Sequence, residues 1–135
     1  MTKVRAMPCE ACPYRRDVPS GLWQEHEYDK LVDYDAPTGE QPFATFACHA
    51  SPEAHCHGWA VVHMNRGHEN ELLALRVSPP DGGIPQEVVP LFDSGEEAAE
   101  HGKADLEEPS EEAWIAMDRL MKKHPRLRER ENVHE

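Results

Sequence analysis

Four cysteines, spaced Cys9-x2-Cys12-x35-Cys48-x7-Cys56, constrain this chain more than any other feature, because all precede residue 57 and none follows in its 135 residues. A Cys-x2-Cys turn projects two sulfurs from one tight loop whose free backbone N–H groups can donate to them, which makes it half of a tetrahedral site. The second pair needs help from structure. If Cys48 ends a strand and Cys56 lies just over a turn inside a helix, the chain between them brings both sulfurs to one centre, and the helix dipole favours a thiolate at Cys56. A thioredoxin-type dithiol wants its motif between a strand and a helix, and MTKVRAMP, residues 1–8, makes a poor strand.

The residues alone leave the metal open. Four thiolates at about 2.3 Å suit Zn2+. Three thiolates and a histidine also make a zinc site, and His49, His55 and His57 flank the second pair. A [4Fe-4S] cluster uses the same four thiolates, and Pro13 after Cys12 resembles the Cys-Pro endings of ferredoxin motifs. The remaining histidines read as solvated side chains, and Gly67 between His63 and His68 argues against one ligand face there. Trp59 reads as a core residue packed beside the site, and Arg15 with Arg16 as a solvated loop pair.

Composition supports a staple. Hydrophobic residues make up 39% of the chain, so the core is expected to be small. No apolar run approaches the about 18 residues of a membrane span, and the N-terminus has no signal-peptide core, which predicts a cytoplasmic protein. In that reducing compartment four cysteines are metal ligands or catalytic thiols more often than disulfides. The net charge of −12 is unevenly placed, with 6 Lys/Arg against 9 Asp/Glu in residues 1–67 and 8 against 17 in residues 68–135. Such a surface repels phosphate backbones, so direct nucleic-acid binding is disfavoured and a protein partner with a basic surface is favoured.

The expected fold class is α+β: one small metal-stapled domain, mostly helical with one or two short strands. Residues 1–77 form the four-cysteine half, 78–92 a turn-rich connector and short strand, 93–124 an acidic helical half packing on the first, and 125–135 a charged tail. Ser20 is placed to cap a helix over Leu22–Tyr34 with Tyr28, Leu31 and Val32 on one face, and QPFATFAC, residues 41–48, reads as a strand. Ser51 followed by Pro52 signals a helix start, Gly67 its stop, and residues 68–77 a further helix. VVPLF, residues 88–92, reads as a strand, and Ser94 with Glu97 has capping-box spacing for a helix closed by Gly102. Ser110 caps the last helix, whose apolar stripe is Trp114, Met117 and Met121.

Three segments, CEACPYRRDVPSGLW, FACHASPEAHCHGW and VPLFDSGEEAAEHG, carry a resemblance over about residues 8–120 to a family of small four-cysteine proteins of unknown function from actinobacteria and their phages. The resemblance implies that Cys9, Cys12, Cys48 and Cys56 belong together, and it implies no activity. A looser comparison with the WhiB-like iron–sulfur regulators extends only to cluster chemistry, because their lone cysteine precedes the Cys-x2-Cys and here it does not. No nucleophile elbow, Walker loop, His-Glu-x-x-His or dinucleotide fingerprint is present. The expectation is a non-enzymatic zinc-binding interaction or regulatory module, phage-encoded and directed at a host protein. The alternatives are an iron–sulfur redox sensor and a zinc-dependent hydrolase or nuclease, the last requiring one cysteine to leave the shell so that a coordination position opens.

Overall fold

In the computed structural model, which describes residues 3–42, 46–48, 54–78 and 88–123, five α-helices carry the fold: α1 Glu25–Asp33, α2 His57–His63, α3 Glu69–Leu75, α4 Gly95–Lys103 and α5 Glu111–Lys123. Among the described residues there is no sheet, and strand-like pairing is confined to isolated bridges, including Val4 with His55, Ala47 with His55 and Arg15 with Leu91. The mostly helical expectation stands, while the β part of the α+β class reduces to those bridges. The Cys48 N–H donates to the Ala54 carbonyl at 2.9 Å and the Cys56 N–H to the Phe46 carbonyl at 2.8 Å, so residues 46–48 lie against 54–56. Of the expected strand over 88–92, what remains are single bonds to the cysteine turn: Arg16 N–H to the Pro90 carbonyl and Phe92 N–H to the Tyr14 carbonyl.

Two helix starts follow local sequence and one does not. Ser94 accepts from the Glu97 N–H at 3.1 Å, and Ser110 accepts from the Ala113 N–H at 3.1 Å, each satisfying a donor that the helix cannot. α1, by contrast, begins three residues later than expected, with Gln24 at the cap position and no side-chain cap bond. Ser20 works elsewhere: its hydroxyl donates to the Gly102 carbonyl at 3.1 Å and accepts from the Asp105 N–H at 2.9 Å, tying the loop before α1 to the end of α4. Val32 is exposed while Tyr28 and Leu31 are buried.

Small residues set the closest helix pair. A Cβ on Gly95 would stand 2.1 Å from the Leu31 carbonyl oxygen, and one on Gly102 2.1 Å from the Tyr28 ring. With Ala98 and Ala99 buried between them, α4 lies directly on α1, and Gly102 is a packing position inside the helix rather than its stop. Asp35, just after α1, completes the joint by accepting from the Gly95 N–H at 2.6 Å and the Glu96 N–H at 2.7 Å, while Arg66 holds the carboxylate at 3.1 Å. A negative charge at the positive end of a helix is stabilising there.

The main core gathers Val4, Leu31, Leu72 and Val77 around the cysteines and an aromatic group in which Tyr34 meets Phe46 edge-on at 4.9 Å and Trp59 at 5.9 Å. A second, smaller core of Ala11, Val18, Leu22 and Leu120 lies under α5. α5 therefore buries Ala113 and Leu120 instead of the expected Trp114 stripe, and Trp114 is 59% exposed. The start signal at Ser51–Pro52, the turn-rich residues 79–87 and the tail beyond Lys123 lie outside the described residues. No helix among the described residues is long and apolar enough to cross a membrane.

Candidate metal centre

The site is built from one turn and one helix start. In the Cys9–Cys12 turn the Cys12 N–H donates to the Cys9 carbonyl at 3.2 Å and the Arg15 N–H to the Cys12 carbonyl at 3.0 Å, which closes the loop that carries both sulfurs. Cys56 is the N-cap of α2 itself, not a residue a turn inside, and its sulfur accepts from the Trp59 N–H at 3.4 Å. Cys48 arrives on the bridge to residues 54–56, and the Arg5 guanidinium donates to its sulfur at 3.7 Å. All four side chains are buried.

The structure brings these residues together as two thiol contacts. Cys12 Sγ and Cys56 Sγ are 3.8 Å apart, and Cys9 shares a hydrogen bond with Cys48. Among the described residues, no three His, Cys, Asp or Glu side chains are already drawn onto one centre. Electrostatics divide the cluster. The hydrogen bond from the Cys56 thiol lowers the Cys12 pKa, and the backbone N–H groups of Tyr14 and Gly58 add to that, against the opposing effect of burial. Burial raises Cys56 well above the ordinary thiol range, and the hydrogen bond with Cys48, then burial, raises Cys9. The surroundings thus favour the thiolate more at Cys12 than at Cys9 or Cys56, where burial makes further negative charge costly without a cation.

Gly58 is a site residue that spacing alone does not reveal. A Cβ there would lie 2.7 Å from Cys12 Sγ and 2.6 Å from the Tyr14 Cβ, so only glycine lets the first turn of α2 reach the sulfur. The signal in the sequence is a glycine inside a helix, which costs about 1 kcal/mol and so marks a close approach.

The flanking histidines separate by role. His57 donates from Nδ1 to the Arg5 carbonyl at 3.0 Å, which fixes the tautomer, and its Nε2 lone pair is buried without a hydrogen-bond partner among the described residues. Burial lowers its pKa and keeps the ring neutral, the form that binds metals. His55 is occupied structurally, pairing its backbone with Lys3 and standing edge-on to Trp59 with ring centroids 6.1 Å apart. His49 lies outside the described residues. Trp59 is a core residue, as expected, and Arg15 pairs with Asp17 at 2.7 Å.

Two histidines lie together away from the cysteines, stacked and not part of any metal-binding group among the described residues. His63 and His68 do meet, their rings stacked at 4.6 Å and 9°, because the chain passes from α2 to α3 through a wide turn at Met64–His68 in which Gly67 takes a φ of 97°. The same glycine that argues for separation supplies the left-handed step that folds His68 back. His63 is buried, bonded through Nε2 to the Thr38 hydroxyl at 2.8 Å and approached by the Gln41 amide at 3.3 Å. Burial first, then His68, lowers its pKa to about 4.

A family model described as a family of unknown function (DUF6283) matches residues 4–123, a span that takes in both cores and all four cysteines. No curated protein and no solved structure matches the chain.

Proposed function

We propose, from the premise that this chain belongs to that family of unknown function, that it is a zinc-binding interaction module in which Cys9, Cys12, Cys48 and Cys56 hold one Zn2+ and no catalysis takes place. The observation that carries this reading is the 3.8 Å between the Cys12 and Cys56 sulfurs. Thiolates at about 2.3 Å from one tetrahedral ion stand about 3.8 Å apart, so this pair already has the edge of a zinc tetrahedron. In an iron–sulfur cubane each thiolate takes its own iron, and sulfurs that nearly touch leave no room for it. The backbone donors to Cys9, Cys12 and Cys56 supply the outer shell that a thiolate site needs. Four cysteines leave no open coordination position, which favours a structural ion over a hydrolytic one. The partner we propose is a protein with a basic surface, matched to the net charge of −12.

Purification under nitrogen from cells supplied with both zinc and iron, followed by metal analysis and a visible spectrum, tests the reading. One zinc per chain and no colour are expected, with the stoichiometry kept in His57→Gln and lost in Cys48→Ser. A brown protein with acid-labile sulfide would replace it by the sensor reading. A metal-free chain with an unchanged thermal transition would remove the metal altogether.

A further inference from the structure

Beside the small core, α5 and residues 21–24 enclose a groove of about 510 Å³, within the range of ligand sites. Its walls are Trp23, Leu106, Trp114, Met117 and Met121, with Asp118 as the charged group among them. One wall is fixed: the Trp23 Nε1–H donates to the Ala11 carbonyl at 2.9 Å, and Gly21, at φ 79°, lets residue 105 pack so closely that a Cβ would meet the Asp105 carbonyl oxygen at 2.7 Å. The other wall is adaptable. Met117 and Met121 are half-buried, Trp114 is 59% exposed and its neighbour Ile115 53% exposed.

Asp118, which lines the groove, ends an acidic stretch of chain. Residues 104–118 carry Asp105, Glu107, Glu108, Glu111, Glu112 and Asp118 and no lysine or arginine. These six carboxylates are exposed, and Glu111, Trp114 and Asp118 follow each other on one face of α5. The nearest cation on that face, Lys122, is tied to Asp118 at 2.9 Å in a solvent-exposed pair, which an arriving guanidinium can displace at little cost.

We propose that this groove is the docking site for a short peptide segment of a partner protein, in which apolar anchors are flanked by arginine or lysine. The anchors fill the Trp23–Trp114–Met121 trough and the basic residues meet Asp118 and Glu111, which steers encounter and rejects acidic segments. The proposal rests on the reading of the chain as an interaction module, and it names the surface that does the binding.

The test uses the full chain in its metal-loaded form and a fluorescent decapeptide of alternating arginine and leucine, with arginine–serine and glutamate–leucine peptides as controls. The arginine–leucine peptide is expected to bind with a shift of tryptophan emission, at least tenfold tighter than either control. The double variant Trp114→Ser, Met121→Ser is expected to lose that affinity tenfold or more at an unchanged thermal transition, since both residues lie on the open side of α5. Asp118→Asn with Glu111→Gln should weaken binding several-fold and flatten its salt dependence. Equal binding of the arginine–serine peptide would reduce the effect to bulk charge and overturn the proposal, as would full binding by the double variant. A chain dimer that disappears in the double variant while no peptide binds would give the groove to a second copy instead. Zinc content read on the same samples keeps the two readings apart: a zinc-loaded chain that ignores the peptide sinks the groove alone, and a zinc-free chain that binds it sinks the metal alone.

Discussion

The main core and the small core under α5 bury apolar groups by different means. Around the cysteines, side chains from stretches spread between Val4 and Ala99 interlock, and the close approaches depend on Gly58, Gly95 and Gly102, where a single Cβ would collide with a sulfur, a carbonyl or a ring. Under α5 four buried residues suffice, Trp23, Ala116 and Met117 lean on them half-covered, and the helix is tied at its far end by an exposed Lys123–Glu10 pair at 3.3 Å. The difference teaches where stability and where recognition reside. A region held by interlocking shape has little freedom to accept a partner, whereas a thin core leaves apolar surface uncovered and adaptable.

On the zinc reading proposed above, removing the ion is the strongest way to break this comparison. A structural zinc contributes on the order of 10 kcal/mol, as much as the whole stability of a small domain. Chelation, or Cys12→Ser, is therefore expected to abolish the cooperative transition and most helical circular dichroism, taking the small core with it because Ala11 and Val18 hang on the cysteine turn. A chelated chain with its full transition intact would show that packing alone holds the main core.

One substitution made in each core sharpens the contrast. Leu72 is fully buried among the main-core residues, and Leu120 is 4% exposed in the small one. Leucine-to-alanine changes span about 2–5 kcal/mol according to how far the surroundings collapse into the space. Leu72→Ala is expected near the upper end, about 4 kcal/mol, and Leu120→Ala near the lower, about 2 kcal/mol, because the half-exposed Met117 can swing into the gap. Chemical denaturation at constant slope measures both. Equal losses would mean that the small core is as tightly packed as the large one.

What the sequence makes legible follows the same division. Caps at Ser94 and Ser110 are local, three-residue patterns, and the structure bears them out. Spacing and resemblance group Cys9, Cys12, Cys48 and Cys56, and of that grouping the structure shows two contacts, Cys12 with Cys56 and Cys9 with Cys48, a pairing that spacing does not state. What could not be read is set by distant partners. Ser20 looks like a cap and is instead a tether to Gly102, Asp35 caps a helix sixty residues away, and Trp114 has the spacing of a buried stripe but no core thick enough to cover it. Periodicity states which residues share a face, and only tertiary packing decides whether that face meets protein or water.

A pH titration locates the last difference, because the main core contains a buried histidine held neutral and the small core has none. His63 is walled in by Thr38 and Gln41, stacked on His68, and faced by Arg66 and Arg76, with Asp35 the one opposing charge. Its pKa falls from 6.5 in the unfolded chain to about 4 in the folded one. As pH drops, the unfolded chain takes up the proton first, so the stability present above 6.5 is withdrawn through the window from 6.5 to 4 and the loss levels off below it. Between pH 6.5 and 5 the loss from this residue is about 2 kcal/mol. Other groups also respond to acid, so the quantity to measure is the difference between parent and His63→Gln at each pH, which cancels what they share. The gap between the two chains should narrow by about 2 kcal/mol across that interval, and amide exchange should speed up in α2 before it does in α5. A gap that stays constant from pH 7 to 5 would mean that the imidazole is already wet in the folded chain, and that the two cores differ in packing but not in their exclusion of water.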